Sequence, residues 1–168
     1  IADLKRLGAV IVDPADIATI GKVDKDELEV LLYEFKADLN AYLASLGTAA
    51  RVKSLEEAIA FNEANREREL KYFGQEIFVE AQKKGPLSEK AYLEARARCL
   101  RLTRADGIDA TMTRHRLDAL VAPTGFPASL TDLVLGDYGY GGCSTFPAVA
   151  GYPHVTVPMG AHLGLPVG

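Results

Sequence analysis

Leu117-Asp118-Ala119-Leu120-Val121-Ala122-Pro123 follows directly on Arg116, the last basic residue of the chain, and its reading decides the fold. A mostly apolar run stopped by a proline, which has no N–H to give to a ladder, predicts a strand over 118–122. Two further stretches read the same way. Ala9-Val10-Ile11-Val12 ends at Asp13-Pro14, and His154-Val155-Thr156-Val157 ends at Pro158. Helices are expected between the first two runs. Beyond Asp26, residues Leu28, Leu31, Leu32, Phe35, Leu39, Tyr42, Leu43 and Leu46 fall at three- and four-residue steps, the spacing of one helix face, and Gly47 ends it. Ser54-Leu55-Glu56-Glu57 has the form of a capping box and predicts a helix through about Leu70. Helical segments are also expected over Gly74 to Lys84, closed by Gly85-Pro86, and over Ser88 to Arg104, with Gly107 interrupting the run before Ile108 to Arg116. A helix before the first strand is expected to end with the turn Leu4 to Leu7, capped by Gly8. Helices between strands, without close hairpin signals, predict an α/β fold: a partial mixed β-sheet flanked by helices, with 9–12, 118–122 and 154–157 in one sheet. The rival arrangement is a self-contained helical bundle with a loop-rich tail. Three strands are too few to cover so many helical faces, so the sheet is expected to be completed from outside the chain.

Composition sharpens this division. All 19 Lys and Arg of the 168 residues lie at or before Arg116, whereas 117–168 holds nine of the 15 glycines, six of the eight prolines and only three acids, Asp118, Asp132 and Asp137. The chain therefore splits into a helix-rich charged part, 1–116, and a Gly/Pro-rich strand-and-loop part, 117–168, which is expected to pack against something rather than face water. A net charge of −4 excludes an electrostatic nucleic-acid binder, and 48% hydrophobic with 25% charged residues is a globular composition. No apolar run approaches the roughly 18 residues that span a membrane. Cys99 and Cys143 stand 44 positions apart, outside any zinc or bridge spacing, which suits a reducing, cytoplasmic compartment. The chain opens at Ile1 and stops in mid-run at Gly168, the expected ends of a cut piece.

The residues that could carry chemistry are few. His115, His154 and His162 stand in no metal-ligand spacing, so neither a metal site nor a cofactor is expected, and His115 suits a helix C-terminus. Ser144 lies in Gly141-Gly142-Cys143-Ser144-Thr145, with His154 ten residues on. The pattern is not Gly-x-Ser-x-Gly. Ser144 and Cys143 are thus both open as nucleophiles beside His154, against a plain reading of Cys143 as a small buried side chain. Gly136-Asp137-Tyr138-Gly139-Tyr140-Gly141-Gly142 has the glycines of a phosphate cradle but no lysine, so it reads as a loop shaping a neutral pocket or as a surface excursion. The pocket candidates are Asp137, Tyr138, Tyr140, Gly141, Gly142 and Cys143. The Arg and Glu density of 63–71 and 96–104 reads as solvated helix surface.

Asp118-Ala119-Leu120-Val121-Ala122-Pro123-Thr124, the segment from Ser144 to Gly160 (Ser144-Thr145-Phe146-Pro147-Ala148-Val149-Ala150-Gly151-Tyr152-Pro153-His154 onward), and Gly164-Leu165-Pro166-Val167-Gly168 together resemble the C-terminal half of an amidase signature family enzyme. The resemblance extends upstream through Tyr33 to Leu43, Ile59-Ala60-Phe61-Asn62 and Tyr72-Phe73-Gly74-Gln75-Glu76, which is similar to the peptide-amidase and aryl-acylamidase branch. It implies hydrolysis of a linear carboxamide or anilide C–N bond by a Ser-Ser-Lys mechanism, in which backbone amides form the oxyanion hole. It also implies that those three residues lie in the missing N-terminal half, because no Gly-Gly-Ser-Ser-Gly-Gly loop and no lysine in an apolar strand occur here. No catalytic residue is carried over, the fragment alone is expected to be inactive, and the final C-terminal elements are expected to be absent as well. Gly142-Cys143-Ser144-Thr145 resembles the family's Gly-Ser-Ser-Thr segment, with Cys143 in place of its first serine. The implied partners are a small amide or peptide-amide substrate and the missing half of the enzyme or a self-associating copy, with no nucleic acid and no membrane. The alternative is a non-catalytic interaction or scaffold module derived from the same fold.

Overall fold

The computed structural model describes residues 1–134, 136 and 141–168. These fall into two units, Ile1–Val23 with Cys99–Leu130 and Tyr138–Gly168, and Asp24–Arg98 with Thr131–Asp137.

The second unit is built on α2 (Asp24–Ser45), which packs with α3 (Leu55–Ala64) and α5 (Glu76–Gln82). Leu32, Leu55 and Ala81 form its buried centre, with Phe35, Leu39, Ile59 and Phe78 packed around them. The rings of Phe35 and Phe78 meet at 5.2 Å and tilt by 40°, a favourable aromatic geometry. The apolar face of α2 is narrower than its periodicity suggests, since Leu28, Leu31 and Tyr42 are exposed. Ser54 caps α3 as expected by accepting from the Glu57 amide, but the Glu57 carboxylate reaches the Lys53 amide, one residue before the cap. The helix expected to run to Leu70 breaks at Asn65, whose side-chain amide donates back to the Phe61 carbonyl; α4 (Arg66–Glu69) then starts afresh.

Charged tips hold the same unit together. Lys36 donates to the carbonyls of Gln82 and Lys84, at 2.8 and 2.5 Å, and so satisfies backbone groups left over where α5 ends. In α6 (Lys90–Thr103), Tyr92 lies against Tyr33 and donates to Glu34 at 2.7 Å. Arg98 grips Asp26 through two bonds of 2.6 and 2.9 Å. The region read as solvated surface is therefore partly structural, and the Arg98 bonds hold the Asp26 carboxyl below its usual range.

In the first unit, α1 (Ala2–Arg6) is followed by Gly8 at φ 96°, as a glycine cap requires. Gly107 does interrupt the long helical run, but as one turn of π-helix, Arg104–Ile108, after which α7 (Asp109–His115) continues. A Cβ on Gly107 would run into the Leu102 carbonyl and crowd Thr19 and Phe146, so only glycine fits. The Thr19 hydroxyl donates to that same Leu102 carbonyl at 2.7 Å.

The sheet differs from expectation. None of 9–12, 118–122 and 154–157 forms a ladder, and Val10, Val121 and Val155 are 91%, 67% and 80% exposed. β-Branched residues favour extended backbone, but a ladder also needs a neighbouring strand to receive its N–H and C=O groups. The described residues instead contain one antiparallel hairpin, β1 (Gly160–His162) and β2 (Leu165–Val167), with Ala161 opposite Pro166. Its turn residues Leu163 and Gly164 both have positive φ, 51° and 81°, as a two-residue hairpin turn requires. Leucine at the first of them hid the signal. A second correction is α8 (Thr145–Ala150), a helix inside a segment read as strands and loops. Pro147 sits in its first turn, where the missing N–H would have had no partner.

Two outcomes follow from the second unit. Leu55→Ala should destabilise the protein by about 2–5 kcal/mol, read as a lower urea midpoint, because it empties a fully buried site. Tyr33 donates to Glu89 at 2.5 Å, and this bond, with burial, pushes its phenol up to about 12. The raised value favours the folded state fully below about pH 10, the ordinary tyrosine value, and the benefit disappears as pH climbs through about 12. Ultraviolet titration should show a phenol titrating at about 12 that moves back toward its ordinary range in Glu89→Ala.

Candidate functional site

Phe146 and Ala150 on α8 are buried against Val23 and Ile108, with Ile17, Leu102, Met112 and Tyr152 packed around this cluster. Burial of these two side chains seats the short helix. Its end is closed by Gly151 at φ 68°, with Gly151 and Tyr152 amides donating to the Ala148 and Pro147 carbonyls. Arg104 donates from Nε to the Ala150 carbonyl at 2.7 Å and lies over the Tyr152 ring at 5.6 Å. The Tyr152 hydroxyl donates to Asp109 at 2.8 Å, and this bond raises its pKa. Sequence reading missed all three: Arg104 looked like solvated surface, and no spacing links 104 and 109 to 152.

The chain on either side of α8 converges on Thr124. The Cys143 amide donates to the Thr124 carbonyl at 3.3 Å, and a Cβ on Gly142 would collide with that carbonyl, so the glycine permits the close approach. The Thr124 and Thr156 hydroxyls share a bond of 3.0 Å, the Thr124 amide donates to the Gly168 carbonyl at 2.8 Å, and the Met159 amide donates to Val167 at 2.7 Å. Segments 118–124, 154–159 and 165–168 thus lie together even without a ladder.

Of the pocket candidates, Gly141 and Gly142 are exposed and Cys143 is half-buried. Asp137, Tyr138 and Tyr140 lie outside the described residues. The Cys143 Sγ stands 3.8 Å from His154 Nε2, and among the described residues no hydrogen bond joins His154 to Ser144. A nucleophile also needs a base held by a third group, and among the described residues no hydrogen bond orients the far side of His154. His115 sits in the last turn of α7 and His162 on β1. Among the described residues, no three of His, Cys, Asp and Glu gather where they could hold a metal ion. A cleft of about 250 Å³ in the second unit, lined by Asn62, Phe73, Gln75 and Phe78, holds no thiol, hydroxyl nucleophile or imidazole. The chemistry-bearing groups are those around Thr124.

No family model matches the chain. A probable amidase of Arabidopsis thaliana is 34% identical over 169 residues, covering 98% of this chain and 29% of that protein. The crystal structure of native peptide amidase from Stenotrophomonas maltophilia matches 99% of this chain with TM-score 0.85 and 43% identity. A peptide amidase in complex with the competitive inhibitor chymostatin matches 99% with TM-score 0.91 and 44% identity. Over nearly its whole length the chain is therefore similar to amidases. It spans about a third of the length of these solved relatives, 33% and 34%. The chain carries Gly142 and Cys143 on a segment bonded to Thr124, with the thiol reachable from solvent. Cys99 is 3% exposed, whereas Cys143 is half-buried; iodoacetamide should therefore label Cys143 at least roughly tenfold faster, read by peptide mass spectrometry. Equal rates would contradict the placement of the thiol.

Proposed function

We propose that this chain is the C-terminal portion of an amidase that hydrolyses the C–N bond of a linear carboxamide, most simply a peptide amide, by a Ser-Ser-Lys mechanism whose three residues lie outside these 168 residues. The observation that carries this reading is a peptide amidase match of TM-score 0.91 at 44% identity over 99% of the chain. Two features of the chain support it. The sequence holds no glycine- and serine-rich nucleophile loop, and among the described residues the side-chain contact of His154 is with the Cys143 thiol.

On this reading the segment Gly141, Gly142 and Cys143, with Asp137, Tyr138 and Tyr140 before it, forms one wall of the substrate pocket. The absence of Lys and Arg from 117–168 suits a wall that takes a neutral acyl or amine group. The extended runs 9–12, 118–122 and 154–157 become strands of a mixed sheet once the remainder of the enzyme supplies neighbours. Exposed Val10, Val121 and Val155 fit burial there, and that remainder is the partner these faces await. Two free cysteines agree with a reducing, cytoplasmic setting, and among the described residues no helix is long and apolar enough to cross a membrane.

The test compares the 168-residue chain with the longer protein that contains it, by ammonia release from peptide amides. The longer protein should turn substrate over and the chain alone should not. Hydrolysis by the chain alone, abolished by Ser144→Ala, would overturn the proposal.

A further inference from the structure

The π-turn at Arg104–Ile108 does more than accommodate Gly107. In an α-helix, residues five apart end about 140° from one another around the axis, because each turn takes 3.6 residues. A turn closed by i to i+5 bonds returns the fifth residue to the same side. Here the Asp109 amide donates to the Arg104 carbonyl, which is that i to i+5 bond. Arg104 and Asp109 therefore reach one target together. Arg104 takes the Ala150 carbonyl and covers the Tyr152 ring, and Asp109 takes the Tyr152 hydroxyl. Regular α-helix would leave the two on different faces, and one of the bonds would be lost.

What they hold is the far end of α8, whose near end carries Gly142 and Cys143 and whose exit leads to His154. The Cys143 and His154 contact of 3.8 Å closes this loop. Phe146 and Ala150 seat α8, and segments 142–143 and 152–154 lie at its two ends.

We propose that Arg104 and Asp109, aligned by the π-turn, are positioning residues that set the substrate-facing segment 142–154 through Ala150 and Tyr152. This rests on the reading of that segment as a pocket wall. The clamp touches no reacting atom and acts on where the wall stands.

The experiment uses the longer protein containing the chain, with two readouts: KM and kcat for a peptide amide, and the rate of Cys143 alkylation by iodoacetamide. Tyr152→Phe removes only the hydroxyl that Asp109 accepts, and Asp109→Ala removes the acceptor. Both should raise KM about tenfold with kcat within about twofold, since the lost interaction is a binding one. Both should also speed alkylation of Cys143 several-fold. Asp109→Asn keeps an acceptor oxygen and should restore both readouts, which a general loss of stability would not do. Unchanged KM and unchanged alkylation in Tyr152→Phe would overturn the clamp, as would a fall in kcat with the other two unmoved. If the wild-type protein cleaves no carboxamide, the pocket reading fails; the alkylation rates then decide the clamp alone, upheld if they rise and rejected if they do not.

Discussion

The seating of Phe146 and Ala150 against Val23 and Ile108 is the constraint on which the chemistry-bearing unit depends. Removing these side chains from water supplies the drive, on the order of 25 cal/mol per Å² of apolar surface. It holds a helix of only six residues, which would not persist by hydrogen bonding alone. Everything that follows uses that helix as a platform. Gly142 and Cys143 are presented at its start, Tyr152 and His154 at its exit, and the Thr124 carbonyl receives the start through a bond that glycine makes possible. Gly107 belongs to the same constraint, since the close approach of Phe146 and of the Leu102 carbonyl leaves no room there for a side chain.

The helical unit around α2 depends on a different balance. Its buried centre is small, and long polar side chains close its edges: Lys36 on two carbonyls, Tyr33 on Glu89, Tyr92 on Glu34, Arg98 on Asp26. Such contacts, part-buried hydrogen bonds to charged groups and one ion pair, contribute about 0–3 kcal/mol each. Their value lies in register. Tyr33 and Tyr92 each bring an aromatic ring into contact and tie its tip to a carboxylate, so helix faces with modest apolar area are fixed in one arrangement. Asp26 adds acid sensitivity: its depressed pKa gives stability above the ordinary carboxylate range that is lost as pH falls through its folded value.

How much was legible in the sequence follows from the range of each interaction. Helix starts and stops are local, so the caps at Ser54 and Gly8, the end of α2 before Gly47 and the break at Gly107 could be read from residue type. The π-turn could not, because it is stabilised by distant partners, Thr19 on the Leu102 carbonyl and Phe146 beside Gly107. Strand preference in 9–12, 118–122 and 154–157 is real in the residues, yet ladder formation is a property of neighbours. α8 was hidden by Pro147 and the hairpin by Leu163 at a position of positive φ. Segment 141–143 is proposed as a pocket wall on its glycines and its resemblance, and its contacts with Thr124 carried no sequence signal. Arg104, Asp109 and Tyr152 carried no signal, since their spacing is meaningful only after the helix changes its pitch.

On the proposed reading this chain supplies a wall of an amidase site and the nucleophile comes from elsewhere in the protein. The most direct measurement is reaction of the longer protein with a serine-directed fluorophosphonate, followed by mass-spectrometric mapping of the labelled residue. The label should fall on a serine outside the 168 residues, and its presence should slow alkylation of Cys143. A label on Ser144, or on any other serine of this chain, would contradict it.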